Sequence, residues 1–315
     1  MNMKITIIGA GAVGATTAFA LFTRGAASEV VLIDINMDKA LGEALDIKQA
    51  LPFIDNCNIY AGTYADAVGS DVVIITSGVG RKPGQSRLEL VQTNVSITKQ
   101  ISSEIVKYAP DAKYIFVANP VDILTYAFLR YTGLPKTQVF GTGTVLDTLR
   151  LRTRLAEIYN INNHQVHANV MGEHGESSFI VWSSATIAGV PIDEYTNFMA
   201  KETQAPVECN RQEIEAYVKS SGQQIISRKG CTVYGVAMST VQIVKALSKN
   251  AETALTVSSL HEGEYGLNDV CISSLTQVNS SGVKGIVTQK LSDEELRRMY
   301  ASAETLKNVI KGIDF

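Results

Sequence analysis

The sequence predicts an α/β protein in which a doubly wound parallel sheet is followed by a mixed α+β domain. Three observations indicate this fold class. Short β-branched runs alternate with helical patterns in the first half, as in successive βαβ units. Runs such as residues 71–75 (DVVII) are apolar without alternation, which is typical of strands buried on both faces. Beyond about Asp147 the regular alternation ends.

The elements can be assigned in order along the chain. In the first half we expect strands at residues 4–8, 30–33, 58–61, 72–76, 113–117 and 138–141. We expect helices in the same half at residues 13–22, 37–49, 86–108 and 123–131. The second half predicts a helix at 147–159, a strand at 165–171, a strand or turn at 182–187, and helices at 211–228 and 233–247. A capping box of Ser292 and Glu295 opens a final helix that runs to about Lys311.

Composition narrows the classes of protein that fit. A hydrophobic content of 45% over 315 residues is enough for a large core. A net charge of −3 without a basic run argues against nucleic acid and anionic membranes as partners. No apolar run approaches the roughly 20 residues of a membrane span. The scattered cysteines show no metal-ligand spacing, so we expect reduced thiols, no metal and a cytoplasmic location.

The two halves are not separated by a proline-rich or polar linker. We therefore expect a nucleotide-binding domain at residues 1–145 packed tightly on a substrate domain at residues 146–315, with the active site between them.

A glycine pattern stands between the first predicted strand and the first helix. Gly9, Gly11 and Gly14 permit a tight turn, and the N–H groups around Val13 can approach a pyrophosphate at the helix N-terminus. Asp34 ends the next strand, where a carboxylate binds a ribose diol and repels a 2′-phosphate. The pattern predicts a Rossmann domain that binds NAD. The alternative is a structural turn beside a solvated carboxylate.

A second set of residues suggests proton-transfer chemistry. His174 follows a predicted strand and is flanked by glycines, and a histidine can exchange a proton near neutral pH. Asp147 and Arg150 share a helix face at i, i+3, where the carboxylate can hold a histidine and the guanidinium can bind a substrate carboxylate. The same spacing fits an ion pair between Asp147 and Arg150 on the helix surface. The alternative for His174 is a structural loop histidine.

With these motifs in view, the chain resembles the lactate/malate dehydrogenase family over essentially its whole length. The matching stretches are residues 8–14 with Asp34, 82–94 (KPGQSRLELVQTN), 118–123 (ANPVDI), 141–150 (GTGTVLDTLR), 167–175 (HANVMGEHG) and 229–232. Several motifs in one order are much more specific than any single motif.

The resemblance implies a role for each matching residue. His174 would donate and accept the proton, with Asp147 as its partner, and Arg150 would anchor the substrate carboxylate. Arg87 would polarise the substrate carbonyl from a loop that closes over the site. Residues expected at the substrate or nicotinamide are Asn119, before a cis Pro120, and Thr232. The implied reaction is hydride transfer between NAD and a small 2-hydroxy acid.

The resemblance also implies assembly and regulation. Arg152 and His167 match positions that bind fructose 1,6-bisphosphate between subunits in bacterial members of the family, and a homotetramer is implied. An arginine and a histidine suit a phosphate, although ordinary surface positions explain them equally well. The other histidines, His164 and His261, match no catalytic position, and we expect them at the surface.

The substrate is left open between lactate and malate. Arg81 stands where malate enzymes carry an arginine that pairs with the distal carboxylate, whereas lactate enzymes usually carry glutamine there. Glu173, Thr232, residues 87–90 (RLEL) and the Arg152–His167 pair instead match the lactate branch. We favour lactate, with malate or dual specificity as the alternative.

A protein from another class could also reuse this fold. A non-catalytic dinucleotide-binding protein would be expected to lose one of His174, Asp147, Arg150 and Arg87. All four are present, which favours an enzyme.

Overall fold

The computed structural model describes residues 3–54, 57–80, 87–204, 207 and 209–315, without the side chains of Arg87 and Thr203. Arg81 lies outside the described residues, and so does most of the loop in which it stands.

The first half forms the predicted parallel sheet. Its strands are β1 (Lys4–Ile8), β2 (Glu29–Ile33), β3 (Asn58–Ala61), β4 (Val72–Ile75), β5 (Lys113–Phe116) and β6 (Val139–Gly141). They lie in the order β3-β2-β1-β4-β5-β6, all parallel, and Ile5 pairs with Val30 on one side and Val72 on the other. Strand β4 is buried along its whole length, as its unbroken apolar run predicts.

Helices cover both faces of this sheet. They are α1 (Ala12–Thr23), α2 (Met37–Ala50), α3 (Arg87–Tyr108) and α4 (Val121–Thr132), within a few residues of the predicted bounds. The Asn36 side chain caps α2 by accepting the Lys39 N–H, and α4 ends at Gly133, whose φ of 64° is left-handed. The peptide bond before Pro120 is cis, as predicted.

The central sheet extends further than the sequence predicted. Strands β13 (Ser258–Glu262) and β14 (Asn268–Ser273) continue it as an antiparallel edge, and Ser258 pairs with Gly141 of β6. A run of apolar residues usually predicts a buried strand. In β13, by contrast, Ser258, Ser259 and His261 are polar and nevertheless buried. The expectation that His261 lies at the surface was wrong, because this strand carries it into the interior.

The second half supplies further helices, α5 (Val145–Tyr159), α6 (Ile192–Thr203), α7 (Arg211–Lys229), α8 (Tyr234–Leu247) and α9 (Asp293–Lys311). All but α6 match predicted helices. The capping box of Ser292 and Glu295 is formed at the start of α9.

Small antiparallel sheets complete this half. Their strands are β7 (Val166–His167), β8 (Val170–Met171), β9 (Phe179–Ile180), β10 (Thr186–Ile187), β11 (Val190–Pro191), β12 (Thr253–Leu255), β15 (Thr276–Asn279) and β16 (Gly282–Ile286). The strand predicted at residues 165–171 is thus divided, since β7 pairs with β10 whereas β8 pairs with β9.

The hydrophobic core joins the two halves. One cluster packs Leu21 and Phe22 of α1 with Val241 of α8, and a second packs Phe128 of α4 with Met299 of α9. A third cluster lies wholly beyond residue 150 and includes Leu151, Val166, Ile180, Ile187 and Ile214. Because two of the clusters contain residues from both halves of the chain, the halves are packed firmly against each other.

Candidate active site

The carboxyl ends of the parallel strands form the edge where ligands of doubly wound sheets bind. Two cavities open there. The larger, of about 520 Å³, is lined by residues that follow β1, β2 and β4, including Gly9, Asp34 and Thr76. The smaller, of about 200 Å³, is lined by residues of α5, α7 and the loop after β8, including Asp147, Arg150 and His174.

The glycines after β1 are required by the shape of the turn. Gly9 has a φ of +108°, and a Cβ there would lie 2.9 Å from the Ser77 nitrogen. A Cβ on Gly14 would lie 1.9 Å from the Gly9 carbonyl oxygen, so this position admits no larger residue in the same backbone. Gly11 is different, because a Cβ there would meet nothing closer than the Lys39 Nζ, at 4.0 Å. Its open side faces the larger cavity.

Three of the predicted dinucleotide residues, Gly9, Gly11 and Asp34, line the larger cavity. Helix α1 begins directly after Gly11, and helix geometry leaves the N–H groups of its first turn, including that of Val13, without an acceptor inside the helix. Asp34 accepts the Ala10 N–H at 2.8 Å and the Asn36 N–H at 2.9 Å, and it lines the larger cavity. A carboxylate has about four acceptor sites, so capacity remains for a ribose diol. These residues fit a dinucleotide.

His174, Asp147 and Arg150 make one hydrogen-bonded chain. His174 Nδ1 lies 2.6 Å from Asp147 Oδ2, and Arg150 Nη1 donates to Asp147 Oδ1 at 2.9 Å. The side chains of Asp147 and Arg150 are only 9% and 14% exposed, so this is not a surface ion pair. Because Asp147 engages Nδ1, the other ring nitrogen of His174 is left to exchange a proton in the cavity.

Burial and charge shift the pKa values of this chain. The Asp147 carboxylate, more than any other group, raises the pKa of His174 to about 9, against the opposing effect of burial. Burial by itself would raise the pKa of Asp147, but His174 and Arg150 outweigh it, and the pKa lies below its usual value. Asp147 is therefore ionised and His174 is held protonated at neutral pH.

Two of the other predicted substrate residues, Asn119 and Thr232, line the same cavity. The main chain of Asn119 is anchored by Asn94, whose amide donates to the Asn119 carbonyl at 2.8 Å. Arg87 is the first residue of α3, but its side chain and the whole of Arg81 lie outside the described residues.

Arg152 and His167, predicted to bind an effector, lie outside this cavity. Arg152 is half-buried, and its Nε donates to the Ala168 carbonyl while an Nη donates to the Asn169 side chain, both at 3.0 Å. Burial lowers the pKa of Arg152. His167 is exposed on β7.

Several residues at the site were not predicted. Lys219, Gly222 and Ile226 line the smaller cavity from one face of α7, and their spacing of three and four residues could have indicated a shared face. Asp122 is buried, and its Oδ2 accepts the main-chain N–H of His174 at 2.8 Å. It lies in the ANPVDI motif, yet no local pattern reveals that contact.

Two further properties of the described residues bear on the class of site. No set of three or more His, Cys, Asp or Glu side chains among them is arranged to hold a metal ion. None of the helices within these residues combines the length and apolar character that a membrane-spanning segment needs.

Comparison with known proteins agrees with this geometry. Two family models match the chain: lactate/malate dehydrogenase, NAD binding domain, at residues 3–141, and lactate/malate dehydrogenase, alpha/beta C-terminal domain, at residues 144–314. The L-lactate dehydrogenase of Acetivibrio thermocellus is 45% identical over 99% of this chain and 97% of its own length. L-lactate dehydrogenase 1 of Clostridium acetobutylicum is 44% identical over 99% of both chains.

Solved structures give the same result. The ligand-bound minor L-lactate dehydrogenase from Enterococcus mundtii superposes with a TM-score of 0.93 at 38% identity, over 98% of both chains. A lactate dehydrogenase from a Medee basin deep-sea metagenome library gives a TM-score of 0.93 at 34% identity, over 99% of this chain and 98% of that one. The chain belongs to the lactate/malate dehydrogenase family, whose first domain binds NAD.

Proposed function

We propose that the protein is an NAD-dependent L-lactate dehydrogenase, which interconverts pyruvate and L-lactate. The observation that carries this proposal is the Asp147 carboxylate, shared between the His174 imidazole and the Arg150 guanidinium inside a small cavity. That arrangement supports the assignment of a proton donor beside a carboxylate-binding cation, the pair that reduction of a small 2-oxo acid requires. The relatives described above are L-lactate dehydrogenases at 44–45% identity over nearly full length.

The proton relay works through the ring nitrogen of His174 that Asp147 leaves free. NAD, held by the glycine turn and Asp34, would supply the hydride chemistry at the 2-oxo carbon in either direction. Protonated His174 donates its proton to the oxygen of the 2-oxo group as that oxygen gains negative charge. In lactate oxidation the neutral imidazole takes the hydroxyl proton. Asp147 stabilises the charged imidazole and fixes its orientation.

The substrate carboxylate is assigned to Arg150. One of its nitrogens is held by Asp147, which orients the planar guanidinium and leaves other N–H donors for two parallel hydrogen bonds. Thr232 and Asn119 line the same cavity, and the motif resemblance assigns Asn119 to the nicotinamide side. Arg87 completes the assignment as the residue that polarises the 2-oxo group, on the basis of the motif resemblance.

The cofactor residues are assigned by the same reasoning. Gly9, Gly11 and Gly14, with the N–H groups at Val13 and its neighbours, hold the pyrophosphate. Asp34 binds the adenosine ribose and selects NAD over NADP. A division into residues 1–145 and 146–315 assigns NAD to the first domain and the relay to the second, while β13 and β14 of the second extend the sheet of the first. A cytoplasmic location suits the reaction.

A malate or dual-specificity enzyme is the alternative, and Arg81 is the feature that favours it. The decisive measurement is kcat/KM with NADH for pyruvate and for oxaloacetate on the same preparation. Lactate dehydrogenase requires the pyruvate value to be higher. A higher value for oxaloacetate would reassign the substrate, and turnover of neither compound would indicate a non-catalytic NAD-binding protein.

Assembly and regulation form a further part of the proposal. Met37, Leu41 and Leu45 recur every four residues along α2 and are exposed, which gives one helix an apolar face suited to a second subunit of a homotetramer. Arg152 and His167 are assigned to a fructose 1,6-bisphosphate site. Light scattering tests the assembly, and saturation curves for pyruvate with and without the bisphosphate test the effector. If the curves with and without the bisphosphate were identical at both acidic and neutral pH, the assignment of an effector site would be wrong.

A further inference from the structure

The loop that carries His174 is held by its main chain. Three consecutive N–H groups have acceptors on three different elements. The Gly172 N–H donates to the Ser273 carbonyl of β14 at 3.0 Å, and the Glu173 N–H donates to Ser302 Oγ of α9 at 2.7 Å. The third, that of His174, donates to Asp122 Oδ2 of α4 at 2.8 Å. Asp122 alone among these three acceptors can carry a charge.

Asp122 is an unusual residue to find in this place. It is only 2% exposed, in the first turn of α4, where the helix dipole favours a negative charge. Within the described residues its second oxygen, Oδ1, has no partner of normal hydrogen-bond geometry, although the nearby Ser258 hydroxyl opposes the effect of burial on the Asp122 pKa. Burying a carboxylate costs free energy. At the preceding residue, Glu173, a neutral serine, Ser302, accepts the main-chain N–H instead. The charge of Asp122 therefore requires an explanation besides the hydrogen bond.

The charges around the imidazole supply that explanation. Asp147 contacts the imidazole from α5 and also binds Arg150. Asp122 contacts the main chain of His174 from α4, and Glu173 precedes His174 in the loop. After Asp147, the Asp122 carboxylate is the next group that raises the pKa of His174, while Arg150 lowers it. Burial raises the pKa of Asp122 to about 6. Burial, and after it the Asp122 carboxylate, also raises the thiol pKa of Cys271 of β14. At neutral pH Asp122 is mainly ionised.

We propose that Asp122 is a positioning residue for His174, which holds the main chain of that residue and adds a second negative charge beside the protonated imidazole. The inference rests on the proposed function for its consequence in catalysis, but the contact itself does not. Asp122 touches neither the substrate nor the cofactor in this assignment. Its effect on turnover passes through His174.

The test replaces the charge and keeps the acceptor. In Asp122→Asn the amide oxygen can still accept the His174 N–H, and the side chain keeps nearly the same size while losing its charge. Ser302→Ala is the matched control, since it removes the neighbouring main-chain acceptor without changing charge. The readout is the rate at which diethyl pyrocarbonate modifies His174 as a function of pH, followed by peptide mass spectrometry. Only the neutral imidazole reacts.

For the wild type we expect the rate of His174 modification to reach half of its maximum near pH 9. In Asp122→Asn the midpoint should fall by roughly one pH unit, because a nearby carboxylate that favours the charged imidazole is lost. Ser302→Ala should leave it unchanged, and the exposed His164 and His167 provide internal standards in every sample. The upper limb of kcat/KM for pyruvate should move by the same amount in Asp122→Asn.

Two results would overturn the proposal. One is an unchanged midpoint in Asp122→Asn with thermal unfolding close to that of the wild type. The other is an equal shift in Ser302→Ala, which would assign the effect to main-chain anchoring. If Asp122→Asn proves unstable, Asp122→Ser, a smaller neutral acceptor, must give the same acid shift or the proposal fails. The modification needs no substrate, so a protein inactive on both 2-oxo acids would refute the proposed function and leave this test intact.

Discussion

The glycine turn (residues 9–14) and the proton relay (Asp147, Arg150 and His174) lie at the same edge of the sheet but are built differently. The turn is one contiguous segment that acts through its backbone, and its limits are steric, such as the 1.9 Å between a Cβ on Gly14 and the Gly9 oxygen. The relay joins a helix to a loop 27 residues away and acts through charge, over contacts of 2.6 and 2.9 Å.

This difference predicts separate phenotypes. Substitutions in the turn change volume, so they should affect cofactor affinity and folding. Substitutions in the relay can keep volume and remove a charge or a proton, so they should affect turnover and its pH dependence while the cofactor still binds.

The largest effect is expected for His174→Asn. The variant keeps a polar side chain of similar size but cannot transfer a proton, so kcat for pyruvate should fall by roughly a thousandfold or more. NADH binding, measured by fluorescence titration, should stay near wild type because the turn and Asp34 are untouched. Retention of more than a few per cent of activity would show that His174 is not the proton donor.

The next effect concerns specificity. If Arg81 contacts the distal carboxylate of a dicarboxylic substrate, Arg81→Gln should remove an ion pair from oxaloacetate and none from pyruvate. The ratio of the two kcat/KM values should then move towards pyruvate by roughly 100-fold, or about 3 kcal/mol of transition-state binding. An unchanged ratio would place the Arg81 side chain in solvent.

Asp147→Asn should move the pH dependence of the relay. His174 has its pKa raised to about 9, so pyruvate reduction, which needs the protonated imidazole, is supported below that pH and declines as pH rises through it. Lactate oxidation needs the neutral form and has the opposite dependence. Asp147 makes the largest contribution to the raised His174 pKa. Its loss should shift the pH limbs of pyruvate reduction and lactate oxidation to lower pH by roughly two units and lower kcat by about a hundredfold. Profiles of kcat/KM in both directions check this, and a profile with an unmoved limb would contradict it.

The smallest effects separate Gly14→Ala from Gly11→Ala. In Gly14→Ala the new Cβ collides with the Gly9 carbonyl, so the turn must distort, and both Tm and NADH affinity should fall. In Gly11→Ala the Cβ has room in the protein but occupies the side that faces the cavity, so NADH affinity should fall by about tenfold with Tm unchanged. Calorimetry and fluorescence titration together distinguish them. Equal losses of Tm would mean that Gly11 is also structural.

The parts of the molecule that were predictable share one property, which is that their physical cause is local. Strand β4 was recognisable because burial on both faces demands an unbroken apolar run, and the other parallel strands because short β-branched or apolar runs alternate with helical patterns. The glycine turn and Asp34 were recognisable because a strand, a turn and a helix follow one another. The shared face of Asp147 and Arg150 follows from helix geometry alone, at a spacing of three residues.

The parts that were missed depend on partners distant in the chain. Strands β13 and β14 carry buried serines and a histidine, because a strand joined to an existing sheet edge can bury polar side chains that a solitary strand would expose. The same placement made the surface assignment of His261 wrong. The contact of Asp122 with the loop of His174 spans 52 residues, and no periodicity extends so far.

The sequence by itself determined the fold class, the dinucleotide turn and the residue types for proton transfer, because each follows from propensity, spacing or a contiguous motif. Only the tertiary structure decided that Asp147 engages His174 and Arg150 at once, that the trio is buried, and that a second carboxyl lies beneath the loop. The physical reason is that a pKa depends on distance and burial in space. The distances between these groups and their burial are determined only when α4, α5 and the loop after β8 pack together.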